Sequence, residues 1–240
     1  MATLLVSGDS WTSGWPLEER LGHRNYSWPA LVSSYFDFDL IDKSRAGSSN
    51  YRIFRKAFDG ISTDVDIALV FLTSWTRFET GATFGHKPGR IYQHLPQDSN
   101  PSSKLAFKLF FNGYLNYTNL LRQIISLQYL AKRSNTDCFF LDTFDQNLFA
   151  DISLDKFKDI LKYNIAVFDN INDQQIVEKY KIVKLLESKV DWTTFISLQS
   201  YQTLINGCKF DQGHPVEDGH KKIAEIVIHF LESKNYGKTI

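Results

Sequence analysis

The sequence predicts an α/β fold in which a parallel sheet is covered by helices on both faces. Short apolar runs bounded by turn residues indicate buried strands, and segments with helical periodicity lie between and after them. Strands that alternate with helices are typical of a doubly wound parallel sheet. A chain of 240 residues, 43% of them hydrophobic, can bury a large core, so we expect one domain over 1–240.

Each predicted element follows from its local pattern. The apolar runs predict strands at 2–6, 38–42, 66–72 and 137–142. Helical periodicity predicts helices at about 27–36, 50–59, 115–133, 154–168, 173–187 and 218–233. The stretches 143–153 and 188–210 carry neither pattern, and we interpret them as connections.

One long irregular segment interrupts this alternation at about 80–104. It has no clear periodicity and contains the turn-forming residues Gly81, Gly85, Pro88, Gly89, Pro96 and Pro101. Because it follows a predicted strand, it could cover a substrate at the carboxyl edge of the sheet. The alternative interpretation is an excursion on the protein surface.

Composition excludes some classes of function. Lys plus Arg and Asp plus Glu both number 27, so no net field attracts nucleic acid. No run approaches the roughly 20 apolar residues of a membrane span, and the start lacks the pattern of a secretion signal. Cys138 and Cys208 are too few for a disulfide framework. We therefore expect a cytoplasmic protein that binds neither nucleic acid nor membrane. A phage or virion location and the oligomeric state stay open.

Two distant segments carry groups that could act together in catalysis. The first predicted strand ends in Gly8-Asp9-Ser10, which can place a hydroxyl at the end of a buried strand. A serine attacks a carbonyl only when a base accepts its proton, and histidine is the usual base. Asp211 and His214 lie three residues apart, so the carboxylate can orient the imidazole within one turn.

These two segments resemble the GDSL, or SGNH, hydrolase superfamily. The matching residues are Gly8, Asp9, Ser10, Thr12 and Gly14 in the first block, and Asp211, His214, Pro215, Gly219 and His220 in the last. Trp11 stands where leucine is usual. The resemblance implies a flavodoxin-like three-layer α/β/α sandwich. It also implies that Ser10 is the nucleophile, His214 the base and Asp211 the orienting carboxylate.

The resemblance also suggests which groups hold the oxyanion. In Ala46-Gly47-Ser48-Ser49-Asn50, Gly47 would donate its N–H beside that of Ser10. The third block normally supplies an asparagine donor, but 73–77 reads Thr-Ser-Trp-Thr-Arg. Loss of one such donor costs about 10²- to 10³-fold in rate. Asn50, Thr76 and Arg77 are the nearest substitutes by sequence. We favour Asn50, although it could instead cap the helix that follows.

The same segment is a candidate wall for a polar substrate. Trp75, Thr76 and Arg77 could bind it, with the indole stacking on a sugar or acyl group, whereas Arg77 and Glu79 could instead form a local ion pair. His23, His86 and His94 are not spaced like zinc ligands, and no lysine follows the early glycines as in a phosphate loop. We predict no metal and no cofactor.

The leading hypothesis is a serine esterase or deacylase that uses a Ser-His-Asp triad. Its substrate would be a small-molecule or carbohydrate acyl ester, for example an O-acetylated sugar. A second hypothesis is a catalytically weak or inactive binding or structural module on the same scaffold, which the absent asparagine permits. A third is a doubly wound domain of unrelated function whose motifs are coincidental.

Overall fold

The computed structural model describes residues 1–15, 17–22, 24–74, 76–80, 92–94, 101, 104–105, 111–142, 152–162, 172–196, 208–211 and 214–237. Its strands are β1 (Thr3–Ser7), β2 (Asp39–Asp42), β3 (Ile67–Leu72), β4 (Phe78–Thr80), β5 (Tyr92–His94), β6 (Asp137–Asp142), β7 (Phe195–Ile196), β8 (Phe210–Asp211) and β9 (His214–Pro215). Its helices are α1 (Ser10–Ser13), α2 (Leu17–Leu21), α3 (Trp28–Phe36), α4 (Asn50–Gly60), α5 (Gly113–Arg133), α6 (Leu154–Lys162), α7 (Asp173–Glu187) and α8 (Glu217–Ser233).

The central sheet is parallel throughout and has the strand order β2-β1-β3-β6-β7. Counted within this sheet, the order is 2-1-3-4-5, the doubly wound order of flavodoxin-like proteins. The strand order reverses beside β1, so the carboxyl ends of β1 and β3 flank a crevice in which ligands bind in such sheets. The predicted α/β class with a doubly wound parallel sheet is confirmed.

The core lies in two layers on either side of this sheet. Successive side chains of a strand point to opposite faces, and all six residues of β3 are buried. Val70 and Phe140 pack into a cluster with α4, α5, α6 and α7. Leu69 and Phe139 pack into a second cluster with α3 and α8. Burial on both faces explains why these strands read as continuous apolar runs.

Helix ends follow from local chemistry. The side chain of Asn112 accepts a hydrogen bond from a first-turn N–H of α5, and Lys132 and Arg133 in its last turn lie near the unpaired carbonyl groups. Asn172 and Gln175 form a reciprocal capping box at the start of α7. These contacts fix where the helices that cover the sheet begin and end.

The structure contains short elements that the sequence patterns did not predict, among them α1, α2, β4, β8 and β9. The expected connection at 188–210 contains β7, whose two residues are too few to show a strand pattern. The irregular segment at 80–104 contains β5, which pairs antiparallel with β4, and most of the rest lies outside the described residues. The predicted helix end at 163–168 also lies outside them. No helix in the described part of the chain combines the length and apolarity needed to cross a membrane.

Phe140 tests the packing of this core. It is 0% exposed, stacks on Phe195 at 5.1 Å and lies 6.3 Å from Phe54, measured between ring centroids. We expect Phe140→Ala to lower the free energy of unfolding by about 3–5 kcal/mol, because the cavity cannot collapse between two layers. Urea unfolding measures this. Tyr129→Ala, at a side chain 69% exposed, should change it by less than about 0.5 kcal/mol. Equal effects in the two variants would contradict the assigned core.

Candidate active site

The segment after β1 turns sharply into the short helix α1. Asp9 caps this helix, since its Oδ1 accepts from the N–H of Trp11 at 3.0 Å. The N–H groups of Thr12 and Ser13 donate to the Asp9 carbonyl at 3.1 and 2.9 Å. These bonds do not use the N–H of Ser10, the first residue of the helix.

A close approach explains the glycine before this turn. A Cβ atom at Gly8 would lie 2.0 Å from Thr12 Oγ1 and 2.5 Å from its Cβ. Only glycine therefore allows α1 to fold back over the end of β1. This tight turn sets the direction of the Ser10 side chain.

Ser10 Oγ meets the imidazole of His214 at the carboxyl edge of the sheet. Ser10 Oγ lies 2.8 Å from His214 Nε2, although 204 positions separate the residues in the chain. Ser10 is 6% exposed and His214, on β9, is half-buried. The ring of Trp15 stands edge-on to the imidazole, with centroids 4.6 Å apart and planes at 82°. Sequence reasoning missed Trp15, for which the only signal was an aromatic residue shortly after the serine.

Asp211 lies beside His214 in a small hairpin. The two residues are register partners across the antiparallel strands β8 and β9. The Asp211 side chain faces solvent. The hairpin therefore places the backbones of Asp211 and His214, the two residues that the sequence pattern paired, next to each other. The role of Asp211 as the orienting carboxylate stays a prediction.

Gly47 occupies an exposed turn after β2. Its φ of +75° favours glycine, and the turn is closed by a bond from the N–H of Ser48 to the carbonyl of Arg45 at 3.2 Å. The turn connects directly to the start of α4. The role of Gly47 as an oxyanion donor stays a prediction.

Asn50 links α4 to the end of β3. Its Nδ2 donates to the Thr73 carbonyl at 2.8 Å, and its Oδ1 accepts from the Thr73 N–H at 3.0 Å. Only the second N–H of this amide is left for an oxyanion, and that role stays a prediction. The alternative that Asn50 caps the helix is wrong. Ser49 is the cap and accepts from the Arg52 N–H at 3.3 Å.

The structure describes two of the three residues of the candidate substrate wall, Thr76 and Arg77. Trp75 lies outside the described residues, and Thr76 is half-buried with its Oγ1 2.8 Å from Ser74 Oγ. Arg77 turns inward, with only 15% of its side chain exposed. It pairs with Asp9, whereas Glu79 pairs with Arg55 at 2.9 Å. Arg77 and Glu79 are thus each bound to another element.

Asp9 is a fully buried carboxyl next to the candidate nucleophile. Burial raises the pKa of Asp9 above its ordinary range, and the Arg77 charge is the largest influence that opposes this. The Trp11 N–H, the Thr73 hydroxyl and the charge of His214 also lower it. His214 therefore lies within electrostatic reach of this second carboxyl.

The other histidines play different parts. His220, on α8, is 0% exposed, and its Nδ1 accepts from the Trp28 N–H at 3.3 Å. Burial and the charge of His214 lower the pKa of His220 to about 4, so it is neutral and structural near pH 7. His23 and His86 lie outside the described residues, and His94 lies on β5. Within the described ranges, no group of three or more His, Cys, Asp or Glu could hold a metal ion.

Solved structures share this architecture. No protein-family model and no curated protein matches the sequence. TesA is 12% identical with a TM-score of 0.50 over 96% of this chain and 98% of its own. Esterase EstA from Pseudoalteromonas sp., solved with monoethylphosphonate as inhibitor, is 11% identical with a TM-score of 0.50 over 99% and 100%. A protein assigned to the G-D-S-L lipolytic family of Desulfitobacterium hafniense DCB-2 is 12% identical with a TM-score of 0.48 over 95% and 99%. The chain therefore shares its fold with TesA and EstA, and the doubly wound α/β fold that the two motifs implied is confirmed.

The buried imidazole of His220 makes stability depend on pH. Its pKa falls from 6.5 to about 4 on folding, so the unfolded chain binds more protons between these values. We expect the free energy of unfolding to fall by about 3 kcal/mol more in the wild type than in His220→Gln as the pH drops from 7 to 4. Urea unfolding across this range measures the difference. His229→Gln, at a side chain 82% exposed on the same helix, should keep the wild-type slope. Parallel curves for wild type and His220→Gln would contradict the assignment.

Proposed function

We propose that this protein is a cofactor-independent serine esterase. The observation that carries the proposal is the 2.8 Å approach of Ser10 Oγ to His214 Nε2. A hydroxyl hydrogen-bonded to an imidazole is the arrangement that activates a serine for attack on a carbonyl. The pair lies at the carboxyl edge of a doubly wound sheet, where such folds bind ligands.

The reaction follows from this pair. Ser10 Oγ attacks the ester carbonyl while His214 Nε2 accepts its proton. The resulting imidazolium donates that proton to the departing alkoxide, which leaves as the alcohol. The acyl group stays bound to Ser10 Oγ as an ester. Water then attacks this ester while His214 accepts one proton from the water molecule. His214 returns this proton to Ser10 Oγ, and the carboxylic acid leaves. No electron transfer and no metal are needed for these steps.

Backbone N–H groups would stabilise the oxyanion formed in each attack. The Ser10 N–H at the start of α1 is not used by the bonds that Asp9 makes in the first turn. The Gly47 N–H lies in the neighbouring turn, and the second N–H of Asn50 could add a third donor. Donors held by surrounding bonds before the reaction stabilise developing charge most effectively.

The proposed substrate is an acyl ester of a small polar molecule or carbohydrate, with acetate the simplest acyl group. The half-buried indole of Trp15 supports this, because it stands against the imidazole and so places an aromatic side chain next to one of the reacting groups. Thr76 adds a polar side chain after β3. Trp75 remains a candidate contact from the sequence alone.

Ser10→Ala tests the nucleophile. We expect it to lower kcat for p-nitrophenyl acetate by at least about 10³-fold, because Ser10 Oγ is the hydroxyl that His214 Nε2 contacts at 2.8 Å. His214→Gln should lower kcat to a similar extent, since the two side chains act as one unit. Release of p-nitrophenolate gives both rates. Ser13→Ala, in the same helix, is the matched control and should retain activity. Equal hydrolysis by wild type and Ser10→Ala would exclude this nucleophile and favour a binding module.

Asp211→Asn tests the third member of the triad. The carboxylate would stabilise the imidazolium only from an exposed position, so we expect kcat to fall by about 10- to 10³-fold, less than for a buried triad carboxylate. Asp218→Asn, at an exposed residue of α8, is the matched control. If both variants keep wild-type kcat, His214 is oriented by other groups.

A further inference from the structure

Arg77 connects the two turns that carry the proposed oxyanion donors. Its Nη1 donates to the Ser48 carbonyl at 2.8 Å and lies 3.5 Å from Asp9 Oδ2. Ser48 follows Gly47 in the turn after β2, and Asp9 precedes Ser10 at the start of α1. One guanidinium group therefore spans both backbone segments.

This contact belongs to a closed loop of hydrogen bonds. Asn50 binds the backbone of Thr73, and Thr73 Oγ1 donates to Asp9 Oδ2 at 2.9 Å. Asp9 then pairs with Arg77, and Arg77 binds Ser48, which stands two residues before Asn50. The loop joins the carboxyl ends of β1, β2 and β3 by side-chain bonds.

The Arg77 side chain is unusually buried for an arginine. Its side chain is 15% exposed and that of Asp9 is 0% exposed. Charged groups are seldom buried unless they are paired and hydrogen-bonded. Among the described residues, Arg77 Nε is also buried without a hydrogen-bond partner. A guanidinium group whose burial is energetically unfavourable therefore lies where the turn after β2 meets the start of α1.

We propose that Arg77 is a positioning residue. It holds the Gly47–Ser48 turn against α1, and so fixes the spacing of the Ser10 and Gly47 N–H groups. This inference rests on the proposed esterase function. It gives Arg77 a role inside the protein instead of the substrate contact that the sequence suggested.

The first test compares Arg77→Met with the wild type on p-nitrophenyl acetate. We expect kcat to fall by about 10²-fold, because small displacements of groups that face a transition state are costly. KM should stay nearly unchanged, since Arg77 binds the protein and not the substrate. The matched control Arg55→Met removes a guanidinium that is 49% exposed and should keep wild-type kcat. Wild-type kcat in Arg77→Met would overturn the proposal, as would a rise in KM alone.

Arg77→Lys separates positioning from charge balance. Lysine keeps the positive charge beside Asp9, but its shorter side chain cannot span both acceptors as the guanidinium does. Arg77→Met should lower the unfolding temperature by roughly 6–20 °C, because it removes the cation beside the buried carboxyl of Asp9. Arg77→Lys should recover most of that loss while kcat stays at least about 10-fold low. Full recovery of kcat by lysine would overturn the positioning role.

Amide hydrogen exchange tests the same role without any substrate. Loss of the bond to Ser48 should speed exchange at Gly47 and Ser48 in Arg77→Met, while exchange within α5 stays at the wild-type rate. Unchanged exchange in the turn would overturn the proposal. A wild-type protein without esterase activity would instead contradict the proposed function, and the exchange result would still decide whether Arg77 holds the turn.

Discussion

The contact between Ser10 Oγ and His214 Nε2 is the interaction on which the proposed active site depends. Each partner is held by a different part of the fold. Ser10 follows β1, a central strand hydrogen-bonded on both sides, and Gly8 allows α1 to pack over the strand end. His214 precedes α8, which packs against α3 in the second core cluster. The core therefore fixes the positions of two chain segments that are far apart in sequence.

The electrostatics of the site centre on a buried carboxyl next to this pair. Burial of Asp9 disfavours its charged form, and a helix N–H, the Thr73 hydroxyl and the Arg77 guanidinium offset part of this cost. Each of these partners comes from a segment that borders the candidate site. The bonds that stabilise the buried charge are thus the same bonds that hold the strand ends together, so stability and site geometry are coupled here.

Much of this arrangement could be predicted from sequence, because it depends on local patterns. Continuous apolar runs predicted the four longer strands of the sheet, and Gly8-Asp9-Ser10 with His214 predicted the two side chains that meet. Two-residue β7 shows no pattern, and the Trp15 contact depends on the tertiary fold. The hydrogen bonds of Asn50 and Arg77 also depend on the tertiary fold, so the sequence could not predict them. Their partners, Thr73, Ser48 and Asp9, are distant in sequence, and the choice between binding substrate and binding protein depends on which way each side chain turns.

The most direct test of the central claim is peptide-mapping mass spectrometry of the protein after reaction with a fluorophosphonate. A serine activated by an imidazole displaces fluoride and retains the phosphonyl group. We expect one adduct per chain, located on Ser10, and none after His214→Gln. An unmodified wild-type protein, or an adduct that persists without His214, would contradict the claim that these two side chains form a nucleophile and its base.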